Sequence, residues 1–173
     1  QTLSEGRYLM KRINETTYNQ STYPTEVENL IIEHLDNTDK LIFSWGRDSS
    51  TFWLARRCTS MCVVEHDLAS FNATKDFLSF KNINNIKTKY SKENYVDSIK
   101  EYPSNIFDTI IIDEHEKEKC FVSAISEARS GGIIIAPYLN IDLLEEYSNR
   151  VKSYSSFSGK GYINEETVII RKK

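Results

Sequence analysis

The stretch LIFSWGRDSSTFWLARRCTSMCVVEHD, Leu41 to Asp67, decides the fold of this chain. Its apolar start, LIFSW, has the length and composition of a buried strand, and STFWLARRC has the spacing of a helix. CVVEHD then predicts a second strand. Strands joined by a helix are the repeating unit of open α/β sheets. The connection SWGRDSST is therefore the turn at which a ligand would approach the main chain.

The same alternation continues towards the end of the chain. Helices are predicted for LASFNATKDFLSF (68–80), KENYVDSIKEY (92–102), KEKCFVSAISEARS (117–130) and IDLLEEYSNR (141–150). Strands are predicted for IKTKY (86–90), FDTIIIDE (107–114), IIIAPY (133–138), VKSYSSF (151–157) and TVIIRKK (167–173). Successive strand–helix steps predict a parallel sheet covered on both faces, and the short last loop favours an antiparallel hairpin. The predicted fold class is α/β: a Rossmann-like three-layer αβα sandwich with a mostly parallel, seven-stranded sheet and a C-terminal antiparallel hairpin.

Length and composition predict one domain. Among the 173 residues no stretch is typical of a linker, so we expect an N-terminal arm over 1–23 and a core over 24–173. The core begins at a helix from Thr25 to Leu35, where Thr25 and Glu28 form a capping box.

Charge and hydropathy limit the partners. The net charge is −3 with both signs spread along the chain, so no basic stripe is available for a nucleic acid partner. No apolar run approaches the about 20 residues of a membrane span, and Gln1 to Arg12 has no signal-peptide core. We therefore expect no nucleic acid, no membrane and a cytoplasmic location.

Residues at two predicted strand ends indicate a nucleoside site. Gly46 can adopt a left-handed backbone and let a ligand approach closely, while Ser49 and Ser50 offer hydroxyl and N–H groups at a helix start. Glu65 lies about 20 residues after Ser44, where an acidic side chain accepts hydrogen bonds from a ribose diol.

The order of these features resembles that of small class I S-adenosylmethionine (SAM)-dependent methyltransferases. Their first motif runs acid, any residue, Gly-Ser-Gly-x-Ser-Thr, then LWLA and SVEHD, and this chain has SWGRDSSTFWLARRCTSMCVVEHD. FDTIIIDEHEKEKC is similar to the family's D-x-I-x-I-D-G strand with its later Cys, and SGGIIIAPY to its GG-x-I-I-x-D-N. The likeness covers Tyr23 to Lys173. It implies SAM as cofactor, with these candidate binding residues: Ser44, Gly46, Asp48, Ser49, Ser50, Glu65, His66 and Asp113.

Departures from the family's pattern fall in the cofactor turn. Ser44 replaces an acid that helps to hold the methionine amino group, which removes a charge-assisted hydrogen bond worth about 1.5–3 kcal/mol. Asp48 replaces the second glycine. It either restores the carboxylate from the next turn or clashes with the helix N-terminus at a positive φ. The metal-binding Asp-Asn pair of the metal-dependent members is replaced by Pro137-Tyr138, so no metal is expected.

Candidate catalytic residues follow the fourth strand. Methyl transfer is helped by holding the acceptor close and by a base that takes its proton. His115 is the candidate base, and Asp113 orients the cofactor or the acceptor. The alternative is that DEHEKEK is a charged helix start. His66 either lies over an adenine ring or belongs to an ordinary strand end.

Three functions are therefore considered. The first is a metal-independent methyltransferase that acts on an oxygen or nitrogen of a small molecule or a sugar. The second is a methyltransferase-like binding or scaffold domain that has lost its cofactor. A nicotinamide-dependent oxidoreductase ranks last, because its phosphate turn needs two or three glycines. Short loops leave the acceptor site open or completed by a second subunit, so a homodimer is also considered.

Overall fold

The computed structural model describes residues 20–36, 41–48, 50–157 and 166–173. Ser49 and most of the predicted arm lie outside the described residues. The strands are β1 (Leu41–Trp45), β2 (Ser60–Glu65), β3 (Ile86–Tyr90), β4 (Thr109–Ile112), β5 (Ile133–Pro137), β6 (Val151–Phe157) and β7 (Thr167–Lys172). The α-helices are α1 (Thr25–Asp36), α2 (Thr51–Ala55), α3 (Leu68–Phe80), α4 (Lys117–Glu127) and α5 (Ile141–Glu146). Two 3₁₀-helices cover Val96–Glu101 and Ser148–Arg150.

The seven strands form one sheet in the order β3-β2-β1-β4-β5-β7-β6. Strands β1 to β5 are parallel, and β7 runs antiparallel to both β5 and β6. The predicted sheet and hairpin are confirmed. The position of β7 between β5 and β6 was not predicted. Residues 168–170 of β7 are buried whereas most of β6 is exposed, so the apolar strand takes the inner position and the polar strand the edge.

Helices cover both faces of the sheet, which confirms the three layers. Successive residues of a strand point to opposite faces, so Phe43 and Ile42 belong to different apolar clusters. The first face packs against α4, α5 and the first 3₁₀-helix through Phe121, Leu144 and Ile99. The second face packs against α1, α2 and α3. No helix in the described part of the chain has the length and apolar character needed to cross a bilayer.

Some predicted helices are shorter than expected. The segment 92–102 contains a 3₁₀-helix over Val96–Glu101 rather than an α-helix. The carbonyl of Tyr95 accepts hydrogen bonds from the Trp45 indole (2.9 Å) and the Ser98 hydroxyl (2.6 Å) instead of from an amide four residues on. Helix α2 ends at Ala55, whose carbonyl accepts a hydrogen bond from the Asn85 side chain at 2.6 Å.

Candidate functional site

The turn between β1 and α2 lies where the strand order reverses. Gly46 N donates to Val64 O at 2.7 Å, and the chain then leaves the sheet with a Gly46 φ of +80°. A Cβ on Gly46 would lie 2.7 Å from Asp113 Oδ2, so the carboxylate after β4 packs directly against this glycine. The sequence predicted that a ligand approaches Gly46 closely; the structure shows Asp113 packed against this glycine.

Asp48 stabilises the start of α2. Its Oδ1 accepts hydrogen bonds from Ser50 N at 2.8 Å and from the Thr51 hydroxyl at 3.3 Å, and its Oδ2 accepts one from the Tyr23 hydroxyl at 3.3 Å. Asp48 does not have a positive φ, so the expected alternative of a clash with the helix is wrong. Burial raises the pKa of Asp48, and the charge of Asp113 raises it further, against the Ser50 amide, which lowers it.

The hydroxyls of Ser44 and Ser50 are used inside the protein. Ser44 is buried and donates to Gly46 O at 2.7 Å. Ser50 is buried, and its Oγ accepts a hydrogen bond from Thr22 N at 3.0 Å and lies 3.2 Å from Thr22 Oγ1. Ser50 occupies the N-cap position of α2 without making a side-chain cap. Both serines were predicted to bind the cofactor, and in the structure their hydroxyls make hydrogen bonds that stabilise the turn.

Glu65 ends β2 with only 4% of its surface exposed. Its Oε1 has no hydrogen-bond partner among the described residues. Burial raises the pKa of Glu65 to about 7; Arg47 opposes that shift with its charge and its main-chain amide, and Asp113 adds to it. A buried carboxylate oxygen without a donor is costly, and such groups are concentrated at ligand sites.

Three rings meet beside Glu65. The imidazoles of His66 and His115 are stacked, and Tyr95 packs edge-on against both, with centroid distances of 5.2 and 5.1 Å. The Tyr95 hydroxyl and His66 Nδ1 are buried with no partner in the described part of the chain. Burial, and then the charge of His115, lower the pKa of His66.

Sequence reasoning missed Tyr95. Its segment was predicted as a helix with no functional role, although it follows β3 and therefore reaches the same sheet edge as the ends of β1, β2 and β4. Burial raises the pKa of Tyr95, and the nearby Cys120, Asp113 and Glu65 add to that shift. Its phenol is therefore a neutral hydrogen-bonding group in this site.

The fold brings together most of the predicted site residues. Asp113 touches Gly46 and faces both Asp48 and Glu65, while His66 and His115 lie next to each other. Ser49 is outside the described residues, in which no cluster of three or more His, Cys, Asp or Glu could hold a metal ion. A separate groove of about 520 Å³ between α4, α5 and the 3₁₀-helices contains none of the predicted residues.

Solved structures share this fold. A tRNA (m1A58) methyltransferase from Aquifex aeolicus is 14% identical, with a TM-score of 0.67 over 97% of this chain and 76% of that one. A candidate caffeoyl-CoA O-methyltransferase from Staphylococcus aureus is 12% identical, with a TM-score of 0.67 over 96% and 91%. A candidate methyltransferase from Streptococcus mutans in complex with SAH is 10% identical, with a TM-score of 0.64 over 89% and 100%.

These similarities establish the fold as that of class I SAM-dependent methyltransferases, whose acceptors differ widely among the neighbours. No protein-family model matches the chain, and no curated protein has a similar sequence.

Proposed function

We propose that this chain binds SAM and transfers its methyl group to an oxygen or nitrogen acceptor on a small molecule or a sugar, without a metal. The observation that carries the proposal is Glu65 Oε1, a buried carboxylate oxygen without a donor at the end of β2. A ribose diol supplies the donors that this oxygen lacks.

The chemistry of the cleft fits the rest of the cofactor. The methionine part of SAM carries an ammonium and a sulfonium, and Asp48 and Asp113 provide carboxylates at the turn that Gly46 opens. Asp48 supplies a carboxylate, whereas Ser44 is neutral and donates its hydroxyl to Gly46 O, so Asp48 is the better candidate for the family's missing acid. Both Asp48 oxygens also accept hydrogen bonds inside the protein. Tyr95 and His66 each have a buried polar atom without a partner among the described residues, and these atoms would bind the edge of the purine.

Transfer requires a nearby base and an acceptor held in line. SAM, when bound, supplies a methyl group on a positively charged sulfur. His115 lies beside Asp113 in the chain and keeps 40% of its side chain exposed, so it can take a proton from an acceptor that enters from solvent. Asp113 orients the acceptor or the cofactor.

The acceptor class follows from charge. The charge of Asp113 raises the pKa of both Asp48 and Glu65, so three carboxylates lie in the cleft, and the chain carries a net charge of −3. Carboxylates repel a phosphate backbone, which favours a neutral or cationic small acceptor over a nucleic acid. The proposed enzyme acts as a monomer or as a homodimer that completes the acceptor pocket.

A binding or scaffold domain without a cofactor is the second candidate. It is favoured by Ser44 and Ser50, whose hydroxyls already make hydrogen bonds inside the protein. The two candidates differ in whether Glu65 meets a ligand.

Isothermal titration with SAM and with S-adenosylhomocysteine (SAH) tests the proposal. We expect both to bind, and Glu65→Gln to weaken binding by about 1.5–3 kcal/mol, the range for a charge-assisted hydrogen bond. Glu145→Gln, a change of an exposed glutamate on α5, is the matched control and should bind as the wild type does. Absence of heat with either ligand at millimolar concentration would favour the scaffold.

A transfer assay then distinguishes acceptors. Release of SAH is measured with small hydroxyl compounds, amines and sugars, and separately with RNA. Turnover with RNA alone would contradict the proposed acceptor class.

A further inference from the structure

The segment before α1 contacts the turn that the proposed function assigns to the cofactor. Thr22 N donates to Ser50 Oγ at 3.0 Å, and the hydroxyl oxygens of these two residues lie 3.2 Å apart. The next residue, Tyr23, packs its ring edge-on against Trp53, which is buried in α2. Residues 22 and 23 are therefore held against the start of α2 by their main chain and by an aromatic side chain.

The hydroxyl of Tyr23 reaches the carboxylate of Asp48. It donates to Asp48 Oδ2 at 3.3 Å. Burial, and then the charge of Asp48, raise the pKa of Tyr23, so the phenol stays protonated and acts as a donor at neutral pH. The proposed function gives Asp48 a role but leaves this contact unexplained.

The two carboxylate oxygens of Asp48 differ in the donors that they meet. Oδ1 accepts hydrogen bonds from Ser50 N and from the Thr51 hydroxyl. Oδ2 accepts one hydrogen bond among the described residues, that from Tyr23. A carboxylate oxygen accepts two hydrogen bonds when both of its lone pairs are used. Oδ2 therefore has room for one more donor, and Tyr23 fixes its direction.

The surroundings of Oδ2 favour a cationic donor. The charge of Asp113 raises the pKa of Asp48, and Asp113 packs against Gly46 in the same turn. In the described part of the chain neither carboxylate belongs to an ion pair, and Arg47 donates its Nε to the Thr74 hydroxyl instead. An ammonium at this turn offsets the repulsion between the two carboxylates.

We propose that Tyr23 is a positioning residue for Asp48: its hydroxyl holds Oδ2 in the direction from which this oxygen accepts the ammonium of the cofactor's methionine part. The inference rests on the proposed function, in which Asp48 replaces the family's acid. A carboxylate whose rotamer is fixed by a neighbouring hydrogen bond binds its ligand with better geometry than a free one. Loss of the Tyr23 hydroxyl should therefore weaken only those ligands that carry the ammonium.

A pair of ligands that differ in one group tests this selectivity. Isothermal titration compares SAH with its deaminated analogue, which keeps the carboxylate and lacks the ammonium. In Tyr23→Phe the affinity for SAH should fall about three- to tenfold, the equivalent of one ordinary hydrogen bond, and the affinity for the analogue should stay unchanged. Tyr154→Phe, which alters an exposed tyrosine on β6, is the matched control and should change neither affinity.

Two outcomes in folded Tyr23→Phe would overturn the proposal. An equal loss for both ligands would show that Tyr23 has a general structural role, and an unchanged SAH affinity would show that its hydroxyl has no role in binding. In an Asp48→Asn background, the further change Tyr23→Phe should have little effect on SAH, because Tyr23 acts through the carboxylate. Circular dichroism establishes that each variant is folded.

A second test uses the ligand-free protein and does not depend on SAH. The side-chain carboxyl carbons of ¹³C-labelled aspartates are followed by NMR as the pH is raised, and Asp48→Asn identifies the signal of Asp48. The ionisable groups that face Asp48 are Tyr23 before α1, Arg47 in the turn and Asp113 after β4. The hydrogen bond from Tyr23 favours the ionised carboxylate, so Tyr23→Phe should move the titration midpoint of Asp48 upwards.

The two tests separate the failure of this inference from the failure of the proposed function. An unmoved Asp48 midpoint would show that Tyr23 does not hold this carboxylate. If the wild type binds neither SAM nor SAH, the proposed function fails and the role of the ammonium fails with it. The titration of Asp48 then still decides whether Tyr23 orients Asp48.

Discussion

The imidazole rings of His66 and His115 lie parallel, with centroids 3.7 Å apart and planes within 4° of each other. His66 follows β2 and His115 lies three residues beyond β4, so the two rings meet across the end of β1, the strand between them. Two positive charges at this distance repel strongly, so the charge of His115 adds to burial in lowering the pKa of His66.

Removal of one ring should change the titration of the other. Burial and then the charge of His115 lower the pKa of His66, so His115→Ala should raise it towards the ordinary 6.5. Proton NMR of the ring C–H groups measures this directly, because the chain has only three histidines. His34 in α1, whose pKa is lowered mainly by burial, is the internal control and should not move. An unchanged His66 would mean that the rings are apart in solution.

Substitution of two glycines should separate backbone strain from the contact with Asp113. Both Gly46 and Gly131 have a positive φ, but a Cβ meets Asp113 Oδ2 at 2.7 Å at Gly46 and nothing within 4 Å at Gly131. We expect Gly131→Ala to lower the free energy of unfolding by about 1–2 kcal/mol. Gly46→Ala should lower it by a further 1–3 kcal/mol, roughly the cost of overpacking. Equal losses in urea denaturation would show that Asp113 moves away without cost.

Glu65 should make the ligand-free protein less stable above neutral pH. Burial raises its pKa from 4.5 to about 7, so between these values the folded state holds a proton that the unfolded state has lost. The free energy of unfolding therefore falls as the pH rises from about 4.5 to 7. Glu65→Gln should raise it by about 1–3 kcal/mol at pH 8 and leave it nearly unchanged at pH 4. Thermal unfolding at the two pH values, with Glu145→Gln as control, checks this; equal effects at both would contradict it.

Asp108 should matter for stability but not for ligand binding. Its Oδ1 pairs with Arg129 Nη1 at 2.9 Å and its Oδ2 accepts a hydrogen bond from Leu41 N at 2.9 Å, with only 1% of the residue exposed. It lies just before β4, at the strand end opposite the cleft. Asp108→Ala should lower the free energy of unfolding by about 1–3 kcal/mol, because the Leu41 amide loses its acceptor. The Arg129 side chain is 38% exposed, so its charge is solvated and adds little to the loss.

Urea denaturation measures the Asp108 effect. Asp97→Ala, which removes an exposed partner of Lys100, is the control and should change stability little. A weaker affinity of folded Asp108→Ala for SAH would show that the two ends of the sheet are coupled.

The contact between Tyr23 and Asp48 predicts a coupled pair. The Tyr23 hydroxyl donates to Asp48 Oδ2 at 3.3 Å, and its ring packs edge-on against Trp53. Tyr23→Phe keeps the ring and should lower the free energy of unfolding by about 1 kcal/mol. In a double-mutant cycle with Asp48→Asn, the loss of stability in the double variant should be smaller than the sum of the two single losses. Strict additivity would show that the hydrogen bond contributes nothing.

Local patterns were sufficient to predict most elements. The spans of α3, β3 and β6 agree with the predicted stretches 68–80, 86–90 and 151–157, because side-chain periodicity reports which face of each element is buried. The same reasoning placed Glu65 at the end of β2 and Gly46 in a turn with a positive φ. Each of these features depends on residues that are close together in the chain.

Only the tertiary structure decided which groups meet. The insertion of β7, the stack of His66 on His115 and the contribution of Tyr95 depend on strand order, which brings distant segments to one sheet edge. The Ser44 hydroxyl turns to Gly46 O, an outcome of turn geometry that residue type does not reveal. By itself the sequence determined the elements and the acidic strand end. The pairing of polar groups in the cleft was decided by the fold, because hydrogen bonds between segments depend on distances that no local pattern encodes.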